Sequence, residues 1–168
     1  MKRIILIVSI LVGLLCIASS HEPAHADADR AKAELLAIHE ADRRAHFHRD
    51  VDALLATLPP DFRFVSVRDG KVLAQSPDDL RKRFEGYFQG AEFSAWDDLE
   101  SPIIHVSPDG QMGWMVVRVK IAYSKTDTAG QKTQEQSVIA WMSAYEKHEG
   151  KWFHVANAST FEAEPAGP

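Results

Sequence analysis

The stretch from Gln111 to Phe161 constrains the fold more than any other part of this chain. Trp114 to Tyr123 and Ser137 to Tyr145 are dense in β-branched and aromatic residues, which suit a pleated, half-buried surface. His148-Glu149-Gly150-Lys151 makes a tight turn into a third run, Trp152 to Phe161. Helical patterns come before these runs. The ribbon therefore predicts a long curved sheet wrapped around helices, a shape that offers a pocket, an interface, or both.

The upstream half reads as short elements. Asp27 or Asp29 can cap a helix starting near Arg30, and Ala33, Leu35, Leu36, Ile38, Ala41 and Ala45 carry its pattern to about His48. Asp50 caps a second helix to Leu58, stopped by Pro59-Pro60. Phe62 to Val67 reads as a strand, and Asp69-Gly70 turns it into Lys71 to Ala74. Ser76-Pro77-Asp78-Asp79 starts a third helix, with a capping serine, proline in the first turn and acids at the positive end. That helix runs to about Phe88, and Gly90 ends it. Strands follow over Glu92–Leu99 and Ile103–Val106, and Lys125 to Lys132 reads as a polar loop.

Residues 1–26 are expected to stand apart. Lys2 and Arg3 precede an apolar run from Ile4 to Ala18, and Ala24-His25-Ala26 offers a cleavage site, with Ser20 as the alternative. That run falls short of the roughly 20 residues needed to span a bilayer. A secretory signal is expected, followed by a single domain over 27–161 and a polar tail over 162–168. The protein is then secreted or periplasmic. Cys16, the only cysteine, follows Leu15, where a lipoprotein signal needs a small residue. The domain itself lacks cysteine, so its core alone must stabilise it. Without Lys2, Arg3 and Glu22 it carries 17 basic and 23 acidic residues, a net −6. That mild acidity with no basic stripe argues against nucleic acid or an anionic membrane as partner.

His46 and Asp50-Val51-Asp52-Ala53-Leu54-Leu55 through Asp61-Phe62, then Asp69-Gly70-Lys71-Val72, the Pro77–Phe88 helix, and Gly150-Lys151-Trp152 leading to Asn157-Ala158-Ser159-Thr160 occur in a telling order. Nearly the whole exported part thereby resembles the nuclear transport factor 2-like superfamily, in its bacterial SnoaL-like (polyketide-cyclase-like) branch. The resemblance implies an α+β fold: a cone-shaped, strongly bent antiparallel sheet with about three helices on its concave face. It also implies an apolar pocket between sheet and helices, and dimerisation through the sheet. Superfamily members include isomerases, dehydratases, cyclases and binding modules, so fold alone does not fix function.

His39, Asp42 and His46 fall at i, i+3 and i+7 and share a helix face with Leu35 and Ile38. An inward His–Asp pair there could be an oriented general base; two imidazoles and a carboxylate could also hold a metal; a solvated flank is the plain alternative. No metal is assigned. His154 lies on the last strand, where alternation puts it with Ala156 and Ala158; these small residues would leave room for a cavity beside it. Of Asp97 and Asp98, beside Trp96, at most one can face inward, where burial would raise its pKa. The catalytic candidates are His46, Asp42, His154 and Asp98. His39, Trp96, Tyr123, Trp141 and Tyr145 are candidate ligand contacts. Glycine-rich phosphate loops, nucleophile elbows and HExxH are absent, so no cofactor is expected.

The expected function is an exported domain that binds a small apolar molecule and forms a homodimer through its sheet face. A cofactor-free acid–base enzyme is the first alternative, and a protein-interaction module the second.

Overall fold

The computed structural model describes residues 22–60 and 63–162. Its elements run α1 (Glu22–His48), α2 (Val51–Leu55), β1 (Phe64–Arg68), β2 (Lys71–Gln75), α3 (Pro77–Phe88), β3 (Ala91–Asp98), β4 (Ile103–Val106), β5 (Met112–Thr126), β6 (Lys132–His148) and β7 (Lys151–Phe161). The fold is α+β: a large, open, curved sheet with few helices. Most of the leader expected over 1–26, Asp61-Phe62 and the tail from 163 lie outside the described residues.

The caps form as the sequence predicts. Asp50 accepts from the Ala53 amide at 2.9 Å. Ser76 and Asp79 satisfy each other's backbone amides, and Pro77 costs nothing where no helical hydrogen bond is available. Helix α1 differs: it begins at Glu22, ahead of the expected start near Arg30. Helix α2 is also shorter, ending at Leu55, with turns replacing its last expected residues.

The sheet has seven strands in the order β2-β1-β7-β6-β5-β3, and β4 also pairs with β5. One feature corrects the expected all-antiparallel sheet: β1 and β7 pair in parallel, through Val65, Ser66 and Val67. Far apart in sequence, they have no hairpin to set their direction. The polar stretch expected as a loop over Lys125–Lys132 is shorter: Lys125, Thr126 and Lys132 are strand, and the loop is 127–131. Pairing of β5 with β6 continues to Thr126↔Lys132, leaving a turn in which Asp127 Oδ1 accepts from the Ala129 and Gln131 amides.

Alternation sets the faces of β5. Met115, Val117, Val119 and Ile121 are buried, while Trp114 is exposed. Ala31 and Leu35 of α1 pack on this inner face with Trp96, Tyr145 and Trp152. Helix and sheet meet most closely at Gly113, where a Cβ would lie 2.8 Å from Leu35 Cδ1. Glu34 ties the same helix down, accepting from Lys147 Nζ at 2.7 Å and Trp152 Nε1 at 2.8 Å. A second cluster joins Ala45, Leu54 and Phe88, with Phe84, Tyr87 and Phe93 against it. Among the described residues no helix is long and apolar enough to cross a membrane.

Candidate functional site

Between the two clusters lies a cavity of about 630 Å³. That is an ordinary size for a small-molecule site. Leu54, Phe84 and Tyr87 wall it on one side and Trp96, Ile121 and Trp141 on the other.

Two bulges decide which side chains face inward. In β3, Ser94 is the extra residue between Phe93↔Tyr123 and Ala95↔Ala122, so Phe93 and Trp96 share the inner face. In β7, Val155 is extra between Tyr145↔His154 and Ala144↔Ala156. The His154 amide at this bulge donates to the Thr57 carbonyl beyond α2, at 2.8 Å. The bulge corrects the face expected from alternation. His154 shares the cavity wall with Asn157 and Phe161. Ala156 and Ala158 pair with Ala144 and Met142 on the outer side, so they make no room for the cavity.

Of the candidates named from sequence, Asp42, His46, His154, Trp96, Tyr123 and Trp141 line the cavity; His39, Asp98 and Tyr145 lie outside its lining. His39 is buried, and its Nε2–H donates to Asp98 Oδ1 at 2.9 Å across 59 residues of sequence. Asp97 instead points toward Arg43, 4.0 Å away. Tyr145 is buried and stacks on the His154 ring at 5.0 Å.

The expected inward His–Asp pair on α1 takes a different form. His46 Nδ1–H donates to the Asp42 backbone carbonyl at 2.7 Å, one helical turn back, and not to its carboxylate. This fixes the tautomer and leaves Nε2 as an acceptor. The imidazole sits among aromatic rings, with Trp96 at 3.9 Å between centroids and Phe88 and Phe93 edge-on at 5.4 and 5.5 Å. Desolvation there outweighs the hydrogen bond and pushes its pKa down to about 4. Burial pushes the Asp42 carboxyl up to about 7. His154 is pushed down to about 4 by burial, against a backbone bond with Ala156. At neutral pH both imidazoles are therefore uncharged while Asp42 is shared between acid and base forms.

Two polar atoms of the lining residues, Trp96 Nε1 and His154 Nε2, are buried without a hydrogen-bond partner among the described residues. Sequence reasoning missed Arg68 and Arg83, which also line the cavity. The signals were present. Arg68 continues the alternation Phe64, Ser66 on β1, and Arg83 falls three residues after Leu80 on the apolar stripe of α3. Among the described residues no cluster of three His, Cys, Asp or Glu could hold a metal ion.

A bent, mostly antiparallel sheet closing over three helices, with a cavity between them, defines the architectural class. The SnoaL-like domain model matches residues 26–155. The chain belongs to the SnoaL-like domain family, and its fold is that of nuclear transport factor 2-like proteins. Solved structures share the fold at low identity. A candidate dehydratase of the NTF2-like family from Streptomyces avermitilis has a TM-score of 0.66 and 11% identity, covering 81% of this chain and 99% of that one. An NTF2-like superfamily protein from Salmonella enterica gives 0.63 and 14%, covering 82% and 95%. A ketosteroid isomerase-like protein from Erwinia carotovora gives 0.58 and 20%, covering 81% and 99%. No curated protein matches the chain.

Proposed function

We propose that this protein is exported and encloses a small, largely apolar molecule in the cavity between its helices and sheet. The aromatic and aliphatic wall supports this reading, together with the unpartnered Trp96 Nε1 and His154 Nε2 in that wall. Native mass spectrometry of the purified protein should find a bound organic molecule that is lost on denaturation. A protein that is empty, and that takes up no apolar dye, would count against the reading.

A second reading, cofactor-free proton transfer of the isomerase, dehydratase or cyclase kind, is favoured by one observation. Asp42 is a carboxyl held by burial near pH 7, where a general base works best. Ionised Asp42 would take a proton from the bound molecule and return it to another atom. Neutral His46 would accept a hydrogen bond through Nε2. The solved structures described as a candidate dehydratase and as ketosteroid isomerase-like are consistent with this chemistry.

The outer sheet face supports a homodimer. Val116 pairs with Ile103 on one side and Met142 on the other, and Ile103 and Met142 are exposed, as is neighbouring Trp114. Such a patch is costly in water. Met142→Asp is expected to halve the mass measured by light scattering on a sizing column, with the fold intact by circular dichroism. An unchanged mass would remove this face from the assembly.

A further inference from the structure

The cavity carries positive charge at two points that no apolar ligand would use. Arg68, at the end of β1, and Arg83, on the apolar stripe of α3, both line it. The charge that acts most on Arg83 is Arg68, and it repels: the neighbouring guanidinium, after burial, holds Arg83 below its ordinary value. Among the described residues neither is neutralised inside the cavity. Arg68 reaches outward to Asp69 at 3.4 Å. Among the described residues the polar partner of Arg83 is an uncharged amide, Gln75 Oε1, at 3.2 Å. The lining has two acids among the described residues, and neither pairs with either guanidinium. Glu135 accepts the Tyr123 hydroxyl, and Asp42 lines the cavity from α1, one turn before His46. Two like charges facing one partly desolvated space cost free energy unless an anion lies between them. Guanidinium forks suit planar or tetrahedral oxyanions, and Asn157 stands in the same wall to add a neutral hydrogen bond.

We propose that the ligand is an amphipathic anion, its apolar body against Trp96, Trp141 and Tyr87 and its single oxyanion head, carboxylate, sulfonate or phosphate, held between Arg68 and Arg83. The proposal rests on the small-molecule pocket argued above and adds the charge of what enters it.

The test uses two fluorescent dyes that differ mainly by one sulfonate: anilinonaphthalene sulfonate and neutral phenylnaphthylamine. Each is titrated into the wild-type protein and into Arg68→Gln, Arg83→Gln and the double variant. The double variant should bind the sulfonate about tenfold more weakly or worse, while its affinity for the neutral dye stays within about twofold. Retained binding of the neutral dye also reports that the variant is folded. Salt should weaken the sulfonate in the wild type and have little effect in the double variant. Competition by naphthoate and naphthyl phosphate then separates a carboxylate head from a phosphate head. Equal losses for both dyes, or an unchanged sulfonate affinity, would overturn the anion assignment and leave the pocket standing. If the wild type binds neither dye, the pocket reading falls and the anion assignment falls with it.

Discussion

Asp42→Asn is expected to make the protein more stable, with a gain that grows as pH rises. Asparagine imitates the protonated acid in size and neutrality. The folded carboxyl titrates at about 7, against 3.8 when exposed. A raised carboxylate pKa favours the folded state at low pH, and that contribution is lost as pH climbs from about 4 to about 7. Asparagine has nothing to lose in that window. The gain should approach roughly 4 kcal/mol near pH 8 and vanish near pH 4. His46 and His154 work in the opposite direction. Their folded pKa values, about 4, lie below the ordinary 6.5, so the unfolded chain binds protons more readily between those values. Their contribution is present above about 6.5 and is lost as pH falls toward 4. In the wild type the carboxyl and the two imidazoles partly cancel, giving a shallow profile. In Asp42→Asn the histidines act alone, and stability should rise steeply from pH 4 to 6.5. Urea denaturation across this range would show it; parallel profiles would mean that Asp42 is not held as its burial implies. If the protein turns over its ligand by proton transfer, the same variant should lose about 10²- to 10⁴-fold in rate. A gain in stability with a loss of turnover is the mark of a strained working group.

Gly90→Ala should give the largest loss of stability at a site remote from the cavity. Gly90 has φ +71, a left-handed conformation that costs an L-residue about 1–2 kcal/mol. Its Cβ would also lie 2.2 Å from the Thr126 carbonyl oxygen. That contact cannot relax by rotating a side chain, because both partners are backbone. The Gly90 carbonyl in turn accepts the Thr126 amide at 3.0 Å, fixing the start of β3 against the end of β5. Conformational cost and overpacking together should remove roughly 3 kcal/mol, a fall on the order of 10 °C in Tm. Gly86→Ala is the control. It lies inside α3 with nothing within 4 Å of the added methyl, and should stabilise by about 0.5–1 kcal/mol. A harmless Gly90→Ala would mean that this corner yields more readily than its contacts suggest.

What could be read from the chain was whatever depends on near neighbours. Ser76, Pro77 and Asp79 sit within four residues, and the helix they start was legible, as were β4 and the alternating faces of β5. Asp42 and His46 were found because a helical turn places them on one face. What stayed hidden depends on a partner strand or a distant element. Lys125, Thr126 and Lys132 look like loop residues, and become strand because β5 and β6 keep pairing through Lys125↔Thr133 and Thr126↔Lys132. The bulges at Ser94 and Val155 are departures from register, which exist only relative to β5 and β6. Bonding of His39 to Asp98 and the convergence of Arg68 and Arg83 on one cavity each join separate elements.

The supernumerary Val155 sets the bend of its ribbon more than the chemistry of the inner wall. Deleting that single position would leave Tyr145↔His154 and Ala144↔Ala156 as successive pairs, so the imidazole would keep its place at the hollow. A gene could thus straighten this ribbon through the loss of one codon and still present the same side chain to whatever is enclosed.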